Sequence, residues 1–117
     1  MWKVIESKTL PFSSYRKGVA NIKRIIEQKV MGTKRIAGFG LIEVPPGGVF
    51  PPHTHPEREE VYYVLSGSGT IVVDDQELQA TEGVTFYVSG EPVHGMRNRG
   101  DESFIVLFIT VYVEENI

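Results

Sequence analysis

The sequence predicts an all-β fold, an antiparallel β-barrel or jelly-roll-like sandwich of two sheets. Short segments rich in β-branched and aromatic residues recur along the chain, clusters of Gly, Pro and Asp separate them, and no clear helical period intervenes. With 117 residues, 41% of them hydrophobic, the chain has enough apolar surface for one core but too little for two. We therefore expect a single domain over 1–117, with N-terminal strands or an arm at 1–34 and the barrel core at 35–113.

The predicted strands follow one another with turn signals between them. The segment "RIAGFGLIEV" precedes "PPGG", "EVYYVL" precedes "SGSG", "TIVV" precedes "DD", "VTFYV" precedes "SGEP", and "FIVLFITVYV" lies near the C-terminus. Residues 67–78 are typical of tight strand–turn–strand units, because Asp tolerates the turn and its side chain can close it. We therefore expect hairpins in this part of the chain.

Residues 19–30, "VANIKRIIEQKV", are compatible with two structures. Their apolar side chains follow the i, i+3, i+4, i+8 spacing of a helix as well as a strand would allow, at Ile22, Ile25, Ile26 and Val30. We predict a strand here, in keeping with the rest of the chain.

Composition and charge exclude several classes of protein. The formal net charge is −3 and the basic residues are scattered, whereas nucleic-acid binders usually carry a basic stripe. No apolar run reaches the length of a membrane span, and "MWKVIESKTL" lacks the apolar core of a signal peptide. We expect a soluble, cytoplasmic protein without nucleic-acid or membrane partners. Because cysteine is absent, any metal site must use nitrogen and oxygen ligands.

The three histidines of the chain fall into one pattern. His53 and His55 are two residues apart, so in an extended segment both point to the same face. The turn that follows delivers Glu59 or Glu60 at the start of the next strand, and "GEPVHGMRN" brings His94. A single histidine is more often a surface or hydrogen-bonded core residue than a ligand. Three imidazoles and a carboxylate together predict a site for divalent Fe, Mn, Ni, Zn or Cu.

This pattern resembles the cupin family. The first cupin motif matches Gly47, five residues, His53, one residue, His55, four residues, Glu60, six residues and Gly67, with every spacing kept. The second motif matches from Gly83 to His94, followed by three residues and Asn98. It departs from the family pattern at three positions, with Val84 in place of an acidic residue, Ser89 in place of Pro and Glu91 in place of Gly.

The resemblance implies a small barrel that holds one divalent transition metal ion through His53, His55, Glu60 and His94. Strand parity independently favours Glu60 over Glu59. Glu60, Tyr62 and Val64 share one face of the strand and Glu59 lies on the other, and only one face can look at the metal.

Several side chains are candidates for a substrate pocket beside the metal, since such pockets are mostly apolar. They are Phe39, Leu41, Phe50, Tyr62, Phe86, Met96 and Phe108, for each of which plain core packing is the alternative. Tyr62 is also the candidate catalytic group, because a buried hydroxyl needs a partner. Arg35, Arg97 and Arg99 are either surface residues or anchors for a substrate anion. Asn98 is expected to close a turn.

The function that these features favour is a metal-binding cupin, a metalloenzyme such as a dioxygenase or isomerase that acts on a small organic acid or sugar-like molecule. A non-catalytic module that binds a small molecule or a metal is the alternative, and a scaffold with a vestigial site is a third. Catalytic groups beyond the ligands and Tyr62 are not identifiable from the sequence.

A homodimer is also expected. The strands "EVYYVL" and "FIVLFITVYV" are apolar on both parities, which is more apolar surface than the interior of one small barrel needs. The segment Trp2–Ile5 is a candidate for an added strand across that interface.

Overall fold

The computed structural model describes residues 1–15 and 19–114, and strands dominate these ranges. The chain first forms a 3-10 turn at Ser7–Thr9, and one short helix, α1, spans Gln28–Met31. The strands are β1 (Ser13–Tyr15), β2 (Ala20–Glu27), β3 (Ile36–Val44), β4 (Val49–His53), β5 (Arg58–Ser66), β6 (Ser68–Val73), β7 (Gln76–Thr81), β8 (Thr85–Val88), β9 (His94–Arg97) and β10 (Phe104–Tyr112). The predicted all-β fold class is confirmed.

The strands form two antiparallel sheets. A six-stranded sheet has the order β1-β2-β3-β10-β5-β8, and a four-stranded sheet has the order β4-β9-β6-β7. Buried side chains of both sheets form one hydrophobic cluster, which includes Ile42, Val64 and Val106 from the first sheet and Ile71 and Met96 from the second. The core therefore lies between the sheets, as in a two-sheet sandwich.

Burial alternates along the two central strands of the larger sheet. In β5, Tyr62 and Val64 are buried while Tyr63 and Leu65 are exposed. Strand β10 shows the same alternation, with Phe104, Val106 and Phe108 buried. Because successive side chains of a strand point to opposite faces, one face of each strand looks into the barrel.

The tight strand–turn–strand structure predicted for residues 67–78 is present as one hairpin, which extends to Thr81. Strands β6 and β7 pair from Ser68 opposite Thr81 to Val73 opposite Gln76, and Asp74 and Asp75 form the connection. Asp74 has a φ of 52°, and it is the one residue other than glycine with positive φ among the described residues. Asp tolerates this left-handed conformation better than most residues.

The ambiguous segment is a strand over Ala20–Glu27, as predicted, followed by one helical turn. The register explains the ambiguity. Arg24 lies opposite Gly40 and Ile26 lies opposite Phe39, so Ile25 is an extra residue in a β-bulge. The bulge breaks the two-residue alternation and leaves a spacing that resembles a helix. Ala20 and Ile22 belong to the core, so residues before 35 contribute to it.

None of the helices in residues 1–15 and 19–114 is long and apolar enough to cross a membrane.

Candidate metal centre

Three side chains that can ligate a metal converge inside the barrel. His53 ends β4, His94 begins β9, and these two residues are paired across the small sheet. Glu60 lies in β5 of the large sheet, with its side chain on the buried face. One ligand atom from each of the three lies within 4.8 Å of the others. The site thus joins the two sheets across the core.

Backbone carbonyls orient two of the imidazoles in the same way. His53 Nδ1 lies 2.9 Å from the carbonyl oxygen of Pro51, and His94 Nδ1 lies 2.8 Å from that of Pro92. A carbonyl oxygen only accepts hydrogen bonds, so each Nδ1 carries the hydrogen and donates it. In the neutral ring this leaves Nε2 with a free lone pair, which is the form that binds a metal.

His94 and Glu60 are the two most deeply buried residues of the site. His94 Nε2 lies 2.5 Å from Glu60 Oε2, and both side chains are only 2% exposed. Neither atom has a hydrogen-bond partner among the described residues. A lone pair facing a carboxylate oxygen at this distance requires a cation between them, either a proton or a metal. The donor set therefore suits a divalent metal ion.

The electrostatics of the pair follow from its burial. For Glu60, burial acts to raise the pKa, but the neighbouring His94 outweighs it and the pKa is lowered. For His94, burial acts to lower the pKa, but the Glu60 carboxylate and the Pro92 carbonyl outweigh it and the pKa is raised. Each group thus stabilises the charged form of the other.

The surroundings of the other two histidines favour the neutral imidazole. Burial lowers the pKa of His53, and burial followed by the charge of Arg58 lowers the pKa of His55. A neutral imidazole is the form that coordinates a metal, so little proton competition is expected at these rings.

His55 lies beside the three-residue group but is not part of it. Its ring centroid is 4.9 Å from that of His53, and its Nδ1 is 3.7 Å from Glu57 Oε1. Its side chain lines the same cavity as His53 and Glu60. The predicted ligand role of His55 therefore stays a prediction.

The loop before His94 is tied to the segment that carries His55. The carbonyl of Gly90 accepts hydrogen bonds from the backbone N–H of His55 and from the Thr54 hydroxyl. Gly90 has a φ of 96°, and a Cβ at this position would collide with the carbonyl oxygens of His55 and Arg58. Glycine is thus required where the two motifs pack together.

Glu60, not Glu59, is the carboxylate that points inward, as strand parity predicted. Glu59 is exposed on the opposite face, where its Oε1 accepts a hydrogen bond of 2.9 Å from the Tyr87 hydroxyl.

A cavity of about 380 Å³ opens beside two of the three donors, His53 and Glu60. Of the predicted pocket residues, Phe50, Tyr62 and Phe108 line it. Met96 is buried in the core, and Phe86 stacks on Tyr62 with ring centroids 4.6 Å apart. Neither of them is a lining residue, and nor are Phe39 and Leu41. These two alternate along β3 with Gly40 and Ile42, which are buried, so they lie on the outer face.

Tyr62 is a polar group of the cavity wall, two residues after Glu60 in β5. Burial and then the negative charge of Glu60 raise its pKa well above the usual value. Its hydroxyl therefore stays protonated at neutral pH. Tyr62 therefore lies in the cavity wall, as predicted from the sequence.

The arginines at the cavity are not those singled out in the sequence. Arg24 and Arg58 line the cavity. Arg97 and Arg99 instead pair with Glu77 at 2.5 and 3.6 Å, and Arg35 is exposed and does not line the cavity. Strand parity could have identified Arg58, since it lies two residues before Glu60 in β5. Asn98 closes a turn as expected, donating to the carbonyls of Val44 and Glu102.

The sequence of this chain is similar to those of known proteins. Residues 40–110 match the family model described as a cupin domain. The chain is 34% identical over 93 residues to the rhicadhesin receptor of Pisum sativum, which covers 75% of this chain and 41% of that protein. It is 31% identical over 64 residues to an uncharacterised protein of Methanocaldococcus jannaschii, which covers 55% of this chain and 51% of that protein. The chain thus spans about half the length of these relatives, or less.

Solved structures share the fold at lower sequence identity. A predicted oxalate decarboxylase of Thermotoga maritima has a TM-score of 0.84 at 18% identity, with 95% of this chain and 100% of that chain covered. The polyketide cyclase RemF of Streptomyces resistomycificus has a TM-score of 0.81 at 22% identity, with 100% of this chain and 83% of that chain covered. Since the family model matches more than half of the sequence, the chain belongs to the cupin family.

Proposed function

We propose that the protein binds one divalent transition metal ion through His53, Glu60 and His94, with His55 as the fourth ligand, and acts on a small organic molecule in the adjacent cavity. One observation carries the proposal above the others. Two imidazoles whose Nδ1 atoms are bound to carbonyls direct free Nε2 lone pairs toward a buried carboxylate. Without a cation, this arrangement places lone pairs against one another in a region of low dielectric constant.

The fourth ligand is supported by the cupin motif and by position. His55 lies two residues after His53 and keeps the motif spacing to Glu60, and it lines the same cavity. Its contact with the half-exposed Glu57 is loose at 3.7 Å, so the ring can turn toward an ion at little cost. Four protein ligands on a six-coordinate ion leave two positions for a substrate.

The residues around the site have separate roles in this proposal. A bound metal would act as a Lewis acid that polarises a substrate oxygen. The Tyr62 hydroxyl, which stays protonated, can donate a hydrogen bond to Glu60. Phe50 and Phe108 form apolar cavity wall and exclude water, which strengthens the electrostatic contacts made there. These features favour a metalloenzyme, of the dioxygenase or isomerase kind.

A non-catalytic module that binds a metal or small molecule is the second candidate. Apart from the proposed ligands, the described residues that line the cavity include one carboxylate, Glu27, and no imidazole. Tyr62 holds its proton too firmly to act as a general base at neutral pH. The fold cannot decide between the two, because one fold supports many chemistries.

Metal content and thermal stability test the proposal. Protein purified without added metal should contain close to one transition metal ion per chain by elemental analysis. Adding that metal at a tenfold to thousandfold excess over its Kd to chelator-treated protein should raise the free energy of unfolding by about 1.4–4 kcal/mol. Identical melting curves at pH 7.5 with and without chelator would contradict metal binding.

We also propose a homodimer that covers the outer face of the six-stranded sheet. Val61, Tyr63 and Leu65 of β5 are between 37% and 42% exposed on this face. Leu107 and Ile109 of β10 lie opposite Tyr63 and Val61 in the register and are half-buried. An apolar face of this kind is typical of an interface. Light scattering should give the mass of two chains at micromolar concentration, and a one-chain mass would rule out the dimer.

A further inference from the structure

Arg58 occupies the rim of the cavity on the same side as the metal donors. It is the first residue of β5, and its side chain shares the inward face with Glu60 and Tyr62. Two residues along a strand separate the Cα atoms of Arg58 and Glu60 by about 7 Å. The guanidinium therefore lies within a small molecule's length of the donors.

The guanidinium is held in place, but its hydrogen-bonding capacity is unused. Its centre lies 5.3 Å from the centroid of the Tyr112 ring, so the aromatic ring supports it. Its Nε is buried without a hydrogen-bond partner, and the carboxylate of Glu57, itself about half exposed, is 3.4 Å from it. Among the described residues the Arg58 side chain donates no hydrogen bond. A buried N–H that has an ion-pair neighbour but makes no hydrogen bond can still donate to an acceptor in the adjacent cavity.

The charges that line the cavity favour an anion. Three cationic side chains, Arg24, Lys29 and Arg58, and two carboxylates, Glu27 and Glu60, line it. In the proposed function Glu60 is a metal ligand, and a divalent ion adds further positive charge. An anionic ligand would therefore meet a positive field from Arg58 and from the metal in the proposed site.

We propose that Arg58 binds the carboxylate of a small organic acid while a second oxygen of the same molecule faces the metal donors. The planar guanidinium fork matches the two oxygens of a carboxylate. This inference rests on the proposed metal site for the second oxygen and on Arg58 alone for the first. It narrows the substrate from organic acids or sugars to molecules with a carboxylate at one end and a carbonyl or hydroxyl several bonds away.

Levulinate and methyl levulinate form a matched pair of probes, because they share a ketone and differ in the charge at the other end. Titration calorimetry on the Zn²⁺-loaded protein should show tighter binding of levulinate. Arg58→Gln should weaken levulinate binding at least about tenfold, the usual loss for a charge-assisted hydrogen bond, and leave methyl levulinate unchanged. The control Arg99→Gln removes an exposed arginine that pairs with Glu77, and it should leave both affinities unchanged.

Two further readouts are independent of activity. The ¹⁵N resonance of the Arg58 side-chain Nε–H should shift on addition of levulinate and not of its ester. Glu57→Gln should tighten levulinate binding about threefold, because it removes a competing carboxylate near Nε. A merely structural role for Arg58 predicts neither result.

The outcomes separate this inference from the proposed function. If Zn²⁺ fails to bind the wild-type protein, the metal proposal fails, and the Arg58 resonance still tests the carboxylate site in the metal-free protein. If Zn²⁺ binds equally well to wild type and Arg58→Gln, but levulinate does not bind or binds both alike, the Arg58 inference is overturned. Binding of inorganic phosphate at Arg58 in preference to levulinate would overturn it too.

Discussion

The two faces of β5 show how one strand serves two environments. The inner face carries Arg58, Glu60, Tyr62 and Val64 in sequence, so a cation, a carboxylate, a phenol and a core side chain follow one another from the cavity rim into the barrel. The outer face carries Glu59, Val61, Tyr63 and Leu65, which are all exposed. Both faces are largely apolar toward the end of the strand, yet only the inner one contains a carboxylate that is removed from water. Burial, not composition, therefore makes Glu60 chemically distinct from Glu59.

The largest expected difference between the faces is in metal affinity. Replacing Glu60 with Ala removes the anionic ligand, and affinity should fall about a hundredfold, at the upper end of the losses caused by changes around metal ligands. Glu59→Ala removes an exposed charge whose partner is Tyr87, and affinity should change less than about threefold. Metal titration of the two single variants against wild type measures both effects. A larger loss for Glu59→Ala would reverse the assignment of faces.

The next difference is in stability. Val64 is fully buried in the core, so Val64→Ala should lower the free energy of unfolding by about 2 kcal/mol through lost burial and an unfilled cavity. Leu65 is 41% exposed, and Leu65→Ala should cost less than about 1 kcal/mol in the monomer. Chemical denaturation of the metal-free variants measures both values. Equal losses would mean that the outer face is buried as deeply as the inner one, as in a tight dimer.

A smaller effect concerns pH, and it belongs to the inner face alone. In the metal-free protein, the raised pKa of His94 contributes stability that is complete below the unfolded-state value of about 6.5 and is lost as pH rises through the folded-state pKa. Metal binding must displace that proton. The stabilisation by metal should therefore grow with pH through the raised pKa of His94, by at most about 1.4 kcal/mol per pH unit for one proton.

Melting curves with and without metal between pH 5.5 and 8.5 measure this dependence. His94→Ala, which removes the titrating ring together with a ligand, should flatten the profile as well as lower it. Metal stabilisation that is constant over the whole range would contradict proton competition at His94.

Much of this account could be read from the sequence. Motif spacing and strand parity both select Glu60, and the turn residues Asp74 and Asp75 predict the hairpin between β6 and β7. Parity at residues 39–42 could not say which face of β3 points inward, because both faces are apolar there. Gly38 and Gly40 occupy the inner face opposite the ring of Phe108, where a side chain at Gly40 would meet the backbone of β2. Phe39 and Leu41 were predicted to line the pocket because they are large and apolar, but they lie on the outer face of β3.

The other differences between prediction and structure have similar physical causes. The β-bulge at Ile25 hides the strand period of residues 20–27, since an inserted residue shifts every later side chain to the other face. Arg58 is not among the predicted cavity residues, because charged residues in a run near a turn are usually solvated. It nevertheless lies on the same face of β5 as Glu60. Arg97 and Arg99 pair with Glu77, which lies in β7, and no local sequence pattern predicts a contact between separate strands.

Anomalous diffraction can locate the metal ion that we propose at the inner face of β5. Crystals of protein loaded with one transition metal, measured on both sides of its absorption edge, should show one strong anomalous peak per chain. We expect this peak within about 2.0–2.2 Å of a nitrogen of His53, a nitrogen of His94 and an oxygen of Glu60, which are the usual metal–ligand bond lengths. A peak elsewhere on the chain, or no peak at this site in metal-loaded crystals, would contradict this proposal.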